Sequence, residues 1–206
     1  MTDGKQSIVI YVARYPFIAD TGDLPTLRQT EIDACSNADE RNRKYYVFKL
    51  LQYAIADVYG AETANRANFY KTACGKWISD VCEFSLSHCG DVVAVAVSDK
   101  PVGLDVQAID PDRFNGQLVR RILTENEYAL AGGLDENERR LFANRAWTAK
   151  EAAFKRDGGK QFVAGKIEAF TPLCSTFTVT VGNADYYLSV AGTEEPQSKT
   201  VYPFFN

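Results

Sequence analysis

The sequence predicts an α+β protein whose elements fall into two halves that divide near residue 100. Each half has one long stretch with the apolar spacing of a helix, at residues 28–59 and 136–156. Short apolar runs bounded by Gly, Pro or Asn surround both stretches and indicate strands. The order is strand, helix, strands and then strand, helices, strands, without recognisable sequence identity between the halves. We therefore expect subdomains at residues 1–100 and 101–206.

In the first half, strands are expected on both sides of the long helix. The predicted elements are a strand at 8–12, a helix at 28–59 that ends at Gly60, a short strand or extended loop at 69–76, a strand at 84–87, a turn at 88–90 and a strand at 91–97. Residues 98–101 have the composition of a hairpin turn that leads into the next strand.

In the second half, helices are expected between strands. The predicted elements are a strand at 101–107, a helix at 117–130 broken by Gly132-Gly133, a helix at 136–156 stopped by Gly158-Gly159, and strands at 167–170, 175–181 and 186–190. The tail from residue 193 onward is polar, with aromatic residues near its end, and its pattern predicts no element.

Composition limits the class of protein. The 206 residues suffice for one or two domains with a sizeable core. No stretch approaches the roughly 20 apolar residues of a membrane span, and no basic segment followed by an apolar one opens the chain, so we expect a cytoplasmic protein. The 5 cysteines are irregularly spaced and indicate reduced thiols. The net charge of −4 argues against general nucleic-acid binding but permits a small polyanion held by a local positive cluster.

The helix at 145–155 carries the first candidate functional residues. Glu151 and Lys155 are four residues apart and share a face, with Trp147 one turn earlier. Lys150 points roughly a quarter turn away. A Glu followed by a Lys at this spacing is also a common surface pair, so this helix alone does not establish a site.

The strand at 101–107 carries the second set. Side chains alternate along a strand, so Val102, Leu104 and Val106 face one side and are predicted to be core. The other side presents Gly103, Asp105 and Gln107, which offer a carboxylate and an amide. An edge strand with a solvated polar face has the same pattern.

Three further segments carry phosphate-binding chemistry. Gly75 beside Lys76 lets backbone approach a phosphate while an ammonium supplies charge. The basic cluster Arg41-Asn-Arg-Lys44 precedes the best helical segment, and His88, the only histidine, follows a strand. Each also fits an ordinary solvated loop or helix end.

Together these segments resemble the 4'-phosphopantetheinyl transferases, in particular the longer surfactin-synthetase-activating type. The family pattern is a Val/Ile-Gly-(Ile/Val/Leu)-Asp strand and, about forty residues later, a (Phe/Trp)-(Ser/Thr/Cys)-x-Lys-Glu helix that ends in Lys. Here these are residues 102–105 and 147–155. Phe84-Ser-Leu-Ser-His88-Cys-Gly90 matches a third family element, and Gly75-Lys76 a fourth, weaker one with Trp77 where proline is usual.

The resemblance implies a fold, a reaction and partners. It implies two similar α+β subdomains related by a pseudo-twofold axis, with the active site at their interface, in a monomer. The implied enzyme transfers 4'-phosphopantetheine from coenzyme A to a serine of an acyl or peptidyl carrier protein, depends on Mg²⁺, and releases adenosine 3',5'-bisphosphate. Neither nucleic acid nor a membrane is an expected partner.

The resemblance also implies roles for individual residues. Glu151 and Lys155 are expected to be catalytic, and Asp105, Gln107 and Glu151 to surround the metal. Coenzyme A is expected to contact basic and small residues from several segments. These are Arg41, with Arg43 and Lys44 as alternatives, and Gly75, Lys76, Ser87, His88, Lys150 and Lys155. The acidic carrier is expected near basic residues of the second half, for which Arg120, Arg121, Arg139 and Arg140 are candidates.

One departure from the family pattern concerns the metal. Many members carry Asp-x-Glu on the strand, whereas this chain has Asp105-Val-Gln107, and Cys89 replaces the usual serine or glutamine. Two alternatives to a transferase stay open, and the departure at Gln107 bears on the second of them. One is a different Mg²⁺-dependent enzyme acting on a nucleotide diphosphate. The other is a catalytically impaired module that binds coenzyme A or a carrier protein.

Overall fold

The structure, a computed structural model, describes residues 6–159 and 161–203. Within these residues the strands are β1 (Ser7–Arg14), β2 (Phe69–Lys71), β3 (Trp77–Ser79), β4 (Glu83–Cys89), β5 (Val92–Ser98), β6 (Gly103–Ala108), β7 (Cys174–Val181), β8 (Ala184–Ala191) and β9 (Gln197–Val201). The helices are α1 (Thr26–Asp33), α2 (Ala38–Tyr59), α3 (Ala61–Arg66), α4 (Gly116–Ile122), α5 (Glu125–Leu130) and α6 (Glu136–Asp157). None of these helices is both long and apolar enough to cross a membrane.

Two sheets pack against each other, and a long helix covers the outer face of each. The strand order is β4-β5-β1-β9 in the first sheet and β6-β8-β7 in the second. Alternation along β1 explains the layers, because Ile8 and Ile10 join Leu104 in a core between the sheets. Tyr11 points the other way, into the core beneath α2. The mixed α+β class is confirmed, while the pseudo-twofold relation stays a prediction.

The first long helical stretch is interrupted. The predicted helix at 28–59 is two helices, α1 and α2, because Asn37 begins a new one by accepting a hydrogen bond from the Glu40 backbone. The second long helix lies where it was predicted. Its start is a capping box of Asp135 and Glu138, and its end is Gly158 in the left-handed conformation, with φ 63°.

Two predictions in the second half were wrong. The helix expected at 117–130 is split into α4 and α5, because Thr124 and Glu127 form a capping box that starts α5 anew. The strand expected at 167–170 is absent among the described residues. The Ala169 N–H there donates to the buried Glu127 carboxylate at 2.7 Å instead of to a neighbouring strand.

The expected hairpin at 98–101 was also wrong. β5 and β6 belong to different sheets, and β6 pairs with β8. The buried Gln6 amide holds this crossing, since it donates to Ser98 Oγ at 3.0 Å and to the Lys100 carbonyl at 3.1 Å. In addition, His88 and Cys89 end β4 rather than forming the turn, which lies at Gly90 with φ 58°.

The C-terminal tail returns to the first half. β9 pairs in parallel with β1, from Ser7 opposite Gln197 to Tyr11 opposite Val201. The division at residue 100 stays a prediction, although this one strand of the second half completes the sheet of the first.

Candidate active site

Gly103 brings helix α6 against strand β6. A Cβ atom at this position would lie 1.9 Å from the Ala152 carbonyl oxygen and 2.5 Å from the Arg156 nitrogen. Only a residue without a side chain permits this contact between two backbones. The next residue on the same face of β6 is Asp105, so the close approach sets Asp105 against the side chains of α6.

Asp105, Lys155 and Ser87 meet where the two sheets adjoin. The Lys155 ammonium lies 2.7 Å from Asp105 Oδ1, and the Ser87 hydroxyl donates to the same oxygen at 2.8 Å. Lys155 also donates to Ser87 Oγ at 3.1 Å. The three residues come from α6, β6 and β4, so the triangle joins the second sheet, its helix and the first sheet.

Glu151 faces the same space from one turn earlier on α6. It is half-buried, and burial raises the pKa of Glu151. The negative charge of Asp105 raises this pKa further, whereas Lys155 opposes the shift. The negative charge of Asp105 therefore disfavours the charged form of Glu151. The positive charge of Lys155 partly offsets this effect.

Gln107 is buried on the same side of β6. Its amide nitrogen donates to Cys89 Sγ at 3.4 Å, while the carbonyl oxygen of an amide is still an acceptor. The two departures from the family pattern, Gln107 and Cys89, are thus in contact with each other.

The donor set fits Mg²⁺, which takes hard oxygen ligands and commonly uses only one or two carboxylates. Asp105 and Glu151 supply two carboxylates whose mutual repulsion a divalent cation would relieve. No cluster of three or more His, Cys, Asp or Glu side chains suited to a metal occurs within residues 6–159 and 161–203. Such a site would need phosphate or water oxygens to complete it.

A cleft of about 270 Å³ opens beside Lys155. It lies between the β2–β3 loop, strand β4 and the end of α6, and its walls include Gly75, Lys76, Phe154 and Gly158. Gly75 has φ 84°, which favours glycine, and the Lys76 side chain approaches Gly158 from the opposite wall. Gly75 and Lys76 thus lie at one opening together with Lys155.

His88 follows Ser87 on β4, and positive charges near the cleft also act on it. The residue is exposed, yet neighbouring protein atoms exclude part of the water, and this desolvation lowers the pKa of His88. The charges of Arg43 and Lys155 lower it further, while Asp105 opposes them and Arg28 adds a smaller effect. Three cationic side chains and one carboxylate thus act on His88, and this excess of positive charge favours a polyanion nearby.

Of the three basic candidates at the start of α2, Arg43 is the one whose charge acts on His88. Its Nε is buried and has no hydrogen-bond partner among residues 6–159 and 161–203. Arg41 is exposed and donates to the Cys35 carbonyl at 2.8 Å, and Lys44 pairs with Glu40 at 2.8 Å. The role expected for Arg41 stays a prediction, and the geometry favours Arg43.

Lys150 lies outside the cleft. It is fully buried and donates to Glu127 at 2.5 Å, to the Ile122 carbonyl at 2.6 Å and to the Ala164 carbonyl at 3.1 Å. These three bonds use all donors of its ammonium group, so none is left for a phosphate. The expected contact with coenzyme A has no support in this arrangement, in which Lys150 ties α6 to α5 and to the loop at 164.

The arginines considered for carrier binding differ in exposure and in their contacts within the protein. Arg120 and Arg121 are exposed, with Arg120 over the Tyr128 ring at 4.7 Å. Arg139 donates to two loop carbonyls, and Arg140 forms an ion pair with Glu136. The first pair is therefore better placed to meet an acidic partner.

The sequence did not reveal Arg28 as part of this region. Its guanidinium is buried and lies 5.3 Å from the Phe48 ring and 5.7 Å from the Trp77 ring. The one signal for a buried cation here was Trp77, which stands where the family usually has proline after Gly75-Lys76. An indole ring attracts a nearby cation.

Part of the chain is similar to known proteins. Residues 101–192 match the 4'-phosphopantetheinyl transferase superfamily. The 4'-phosphopantetheinyl transferase AcpT of Salmonella typhi is 34% identical over 91 residues, which cover 43% of this chain and 47% of that protein. HetI of Nostoc sp. is 31% identical over 91 residues, covering 43% and 38%, and Sfp of Bacillus subtilis is 27% identical over 75 residues, covering 36% and 33%.

The resemblance noted from the motifs is thus confirmed for residues 101–192, which are similar to the 4'-phosphopantetheinyl transferase superfamily and make up less than half of the chain. This segment contains Asp105, Glu151 and Lys155. The matches span less than half the length of each of these relatives.

Proposed function

We propose that this protein transfers the 4'-phosphopantetheine group of coenzyme A to a serine of an acyl or peptidyl carrier protein and depends on Mg²⁺. The observation that carries the proposal is the ion pair of Asp105 with Lys155, with Glu151 one turn earlier on α6, beside a cleft that Lys76 and Lys155 line. A pyrophosphate substrate needs its negative charge neutralised and its reacting atoms positioned, and this set of side chains supplies both.

In this proposal, Asp105 and Glu151 would hold the metal, and the Gln107 carbonyl oxygen or a water would supply a third ligand. The bound ion would neutralise the charge on the pyrophosphate oxygens. Lys155 is held by Asp105 and lines the cleft, so its ammonium can meet the charge that develops on the departing phosphate.

The reaction forms one bond and breaks one. The serine oxygen of the carrier attacks the pyrophosphate phosphorus that bears pantetheine, and the bond from that phosphorus to adenosine 3',5'-bisphosphate breaks. The serine proton passes to Glu151, directly or through water.

The cationic groups around the cleft would hold coenzyme A. Lys76 and Gly75 approach from the β2–β3 loop, and His88 and Arg43 lie along β4 and α2. Arg43 is our candidate for the 3'-phosphate, since its Nε is unpaired. The carrier would dock near Arg120 and Arg121. A monomer that acts in the cytoplasm as a holo-carrier-protein synthase completes the proposal.

The alternative is a module that binds coenzyme A or a carrier protein without turnover. Gln107 favours it, because the neutral amide brings no charge to the metal. A Mg²⁺-dependent enzyme acting on a nucleotide diphosphate would share the carboxylates but not require a carrier.

One experiment separates these possibilities. The protein is incubated with coenzyme A, Mg²⁺ and an apo carrier protein, and the intact mass of the carrier is measured. A gain of one phosphopantetheine supports the transferase, provided that EDTA and the Glu151→Gln variant prevent it. Coenzyme A binding in calorimetry without a gain supports the binding module. Magnesium-dependent cleavage of a nucleotide diphosphate without a carrier supports the third possibility.

A further inference from the structure

Strands β4 and β6 are joined by side chains instead of a backbone ladder. β6 is the edge strand of the second sheet, so its outward N–H groups lack strand partners. Every second residue of β4 supplies an acceptor for them. The pairs are Leu104 N to Ser85 Oγ at 2.9 Å, Val106 N to Ser87 Oγ at 3.1 Å, and Ala108 N to Cys89 Sγ at 3.3 Å.

Ser87 differs from the other two members of this series. Its hydroxyl donates to Asp105 at 2.8 Å and accepts from Lys155 at 3.1 Å, in addition to the Val106 bond. A serine hydroxyl has one donor and two acceptor positions, so all of its capacity is used. Ser85, by contrast, bonds only to Leu104 within the described part of the chain.

We propose that Ser87 is a positioning residue that fixes Asp105 and Lys155 against one another, rather than a contact for a phosphate of coenzyme A. This inference rests on the proposed function and deepens it. It also departs from the role that the family resemblance implies for Ser87.

The exposure of the partners supports this role. Asp105 is 10% exposed in its side chain, whereas Lys155 is 29% exposed and has a long, flexible stem. A second bond from Lys155 to Ser87 Oγ restricts that stem, and the hydroxyl hydrogen selects one oxygen of Asp105. A displacement of about 1 Å in such a constellation can cost about 100-fold in rate.

The test compares Ser87→Ala with Ser85→Ala. Both remove one acceptor for a β6 N–H, but only the first removes contacts with Asp105 and Lys155. We expect Ser87→Ala to lower kcat by about tenfold or more while the Kd for coenzyme A, measured by calorimetry, changes by less than about threefold. Ser85→Ala, at a residue that lines the cleft, should lose similar stability but keep the contacts between Asp105 and Lys155, so its kcat should fall less than that of Ser87→Ala. Ser87→Thr, which retains the hydroxyl, should restore most of kcat.

Ser87→Cys provides a second variant if Ser87→Ala does not fold. Cys89 shows that a thiol can accept the backbone bond at this junction, whereas a thiol is a weak donor to Asp105. Ser87→Cys should therefore fold and still lose kcat. A loss of coenzyme A affinity above about tenfold in either variant, with or without lower kcat, would indicate a phosphate contact and overturn the inference.

A double-mutant cycle tests the role of Ser87 independently of turnover. In it, the urea midpoint of unfolding is measured for the single and double variants. The losses caused by Ser87→Ala and Asp105→Asn should not add in the double variant, because the two side chains share a hydrogen bond. The losses of Ser85→Ala and Asp105→Asn should add. Additivity in both cycles overturns the positioning role. A wild-type protein without turnover would overturn the proposed function, and the cycle would still decide whether Ser87 holds Asp105.

Discussion

Replacing Gly103 with alanine tests whether the close approach of α6 to β6 assembles the site. The added Cβ would lie 1.9 Å from the Ala152 carbonyl oxygen, and ordinary contact begins at 3.4 Å. The helix must therefore retreat by about 1.5 Å, which is 3.4 Å less 1.9 Å. Since the clash is with backbone, no rotamer change relieves it. Overpacking of this kind costs about 1–3 kcal/mol or more in unfolding free energy.

The same retreat would separate Asp105 from Lys155, whose present distance is 2.7 Å. We therefore expect Gly103→Ala to lose turnover in the carrier mass assay by about 100-fold, beyond its loss of stability in urea. Gly116→Ala is the matched control, because no described residue beyond its own neighbours lies within 4 Å of its added Cβ. An unchanged midpoint and unchanged turnover in Gly103→Ala would refute the account of how the site is assembled.

Three further predictions concern charged groups. Glu151→Gln should lower turnover by about 100-fold or more. Without Mg²⁺ it should also raise the urea midpoint at neutral pH, because the raised pKa means that the folded state disfavours the Glu151 carboxylate. That gain should vanish as pH falls through the folded pKa toward the ordinary value of 4.5, and a constant gain would contradict it. Lys150→Met should lose about 3–5 kcal/mol of unfolding free energy by leaving the Glu127 carboxylate buried without a cation, and adding Glu127→Gln should recover part of it. Arg43→Ala should raise the Kd for coenzyme A more than Arg41→Ala does in calorimetry, and the reverse order would assign the contact to Arg41.

The sequence was sufficient to predict those features of the site that depend on local periodicity. Alternation along 102–107 placed Val102 and Leu104 in the core, where both are fully buried. The spacing of four residues placed Glu151 and Lys155 on one face of α6, as the structure has them. These patterns reflect backbone geometry alone, so they do not require knowledge of distant contacts.

It was insufficient where distant segments decide. Lys150 is adjacent to Glu151, and its burial depends on the Ile122 and Ala164 carbonyls, which sequence spacing does not bring near it. Likewise, a short connection between two apolar strands usually indicates a hairpin. Here the buried Gln6 holds that connection, and the strands part into separate sheets.

The parallel pairing of β9 with β1 has a consequence for how the chain is made. Ser7 meets Gln197, so a ribosome must synthesise nearly the whole described chain before β1 gains this neighbour. Until then the open edge of β1 is available to strands of other nascent chains. A chain truncated before residue 197 would thus leave β1 without its partner β9. We expect such a chain to aggregate during expression.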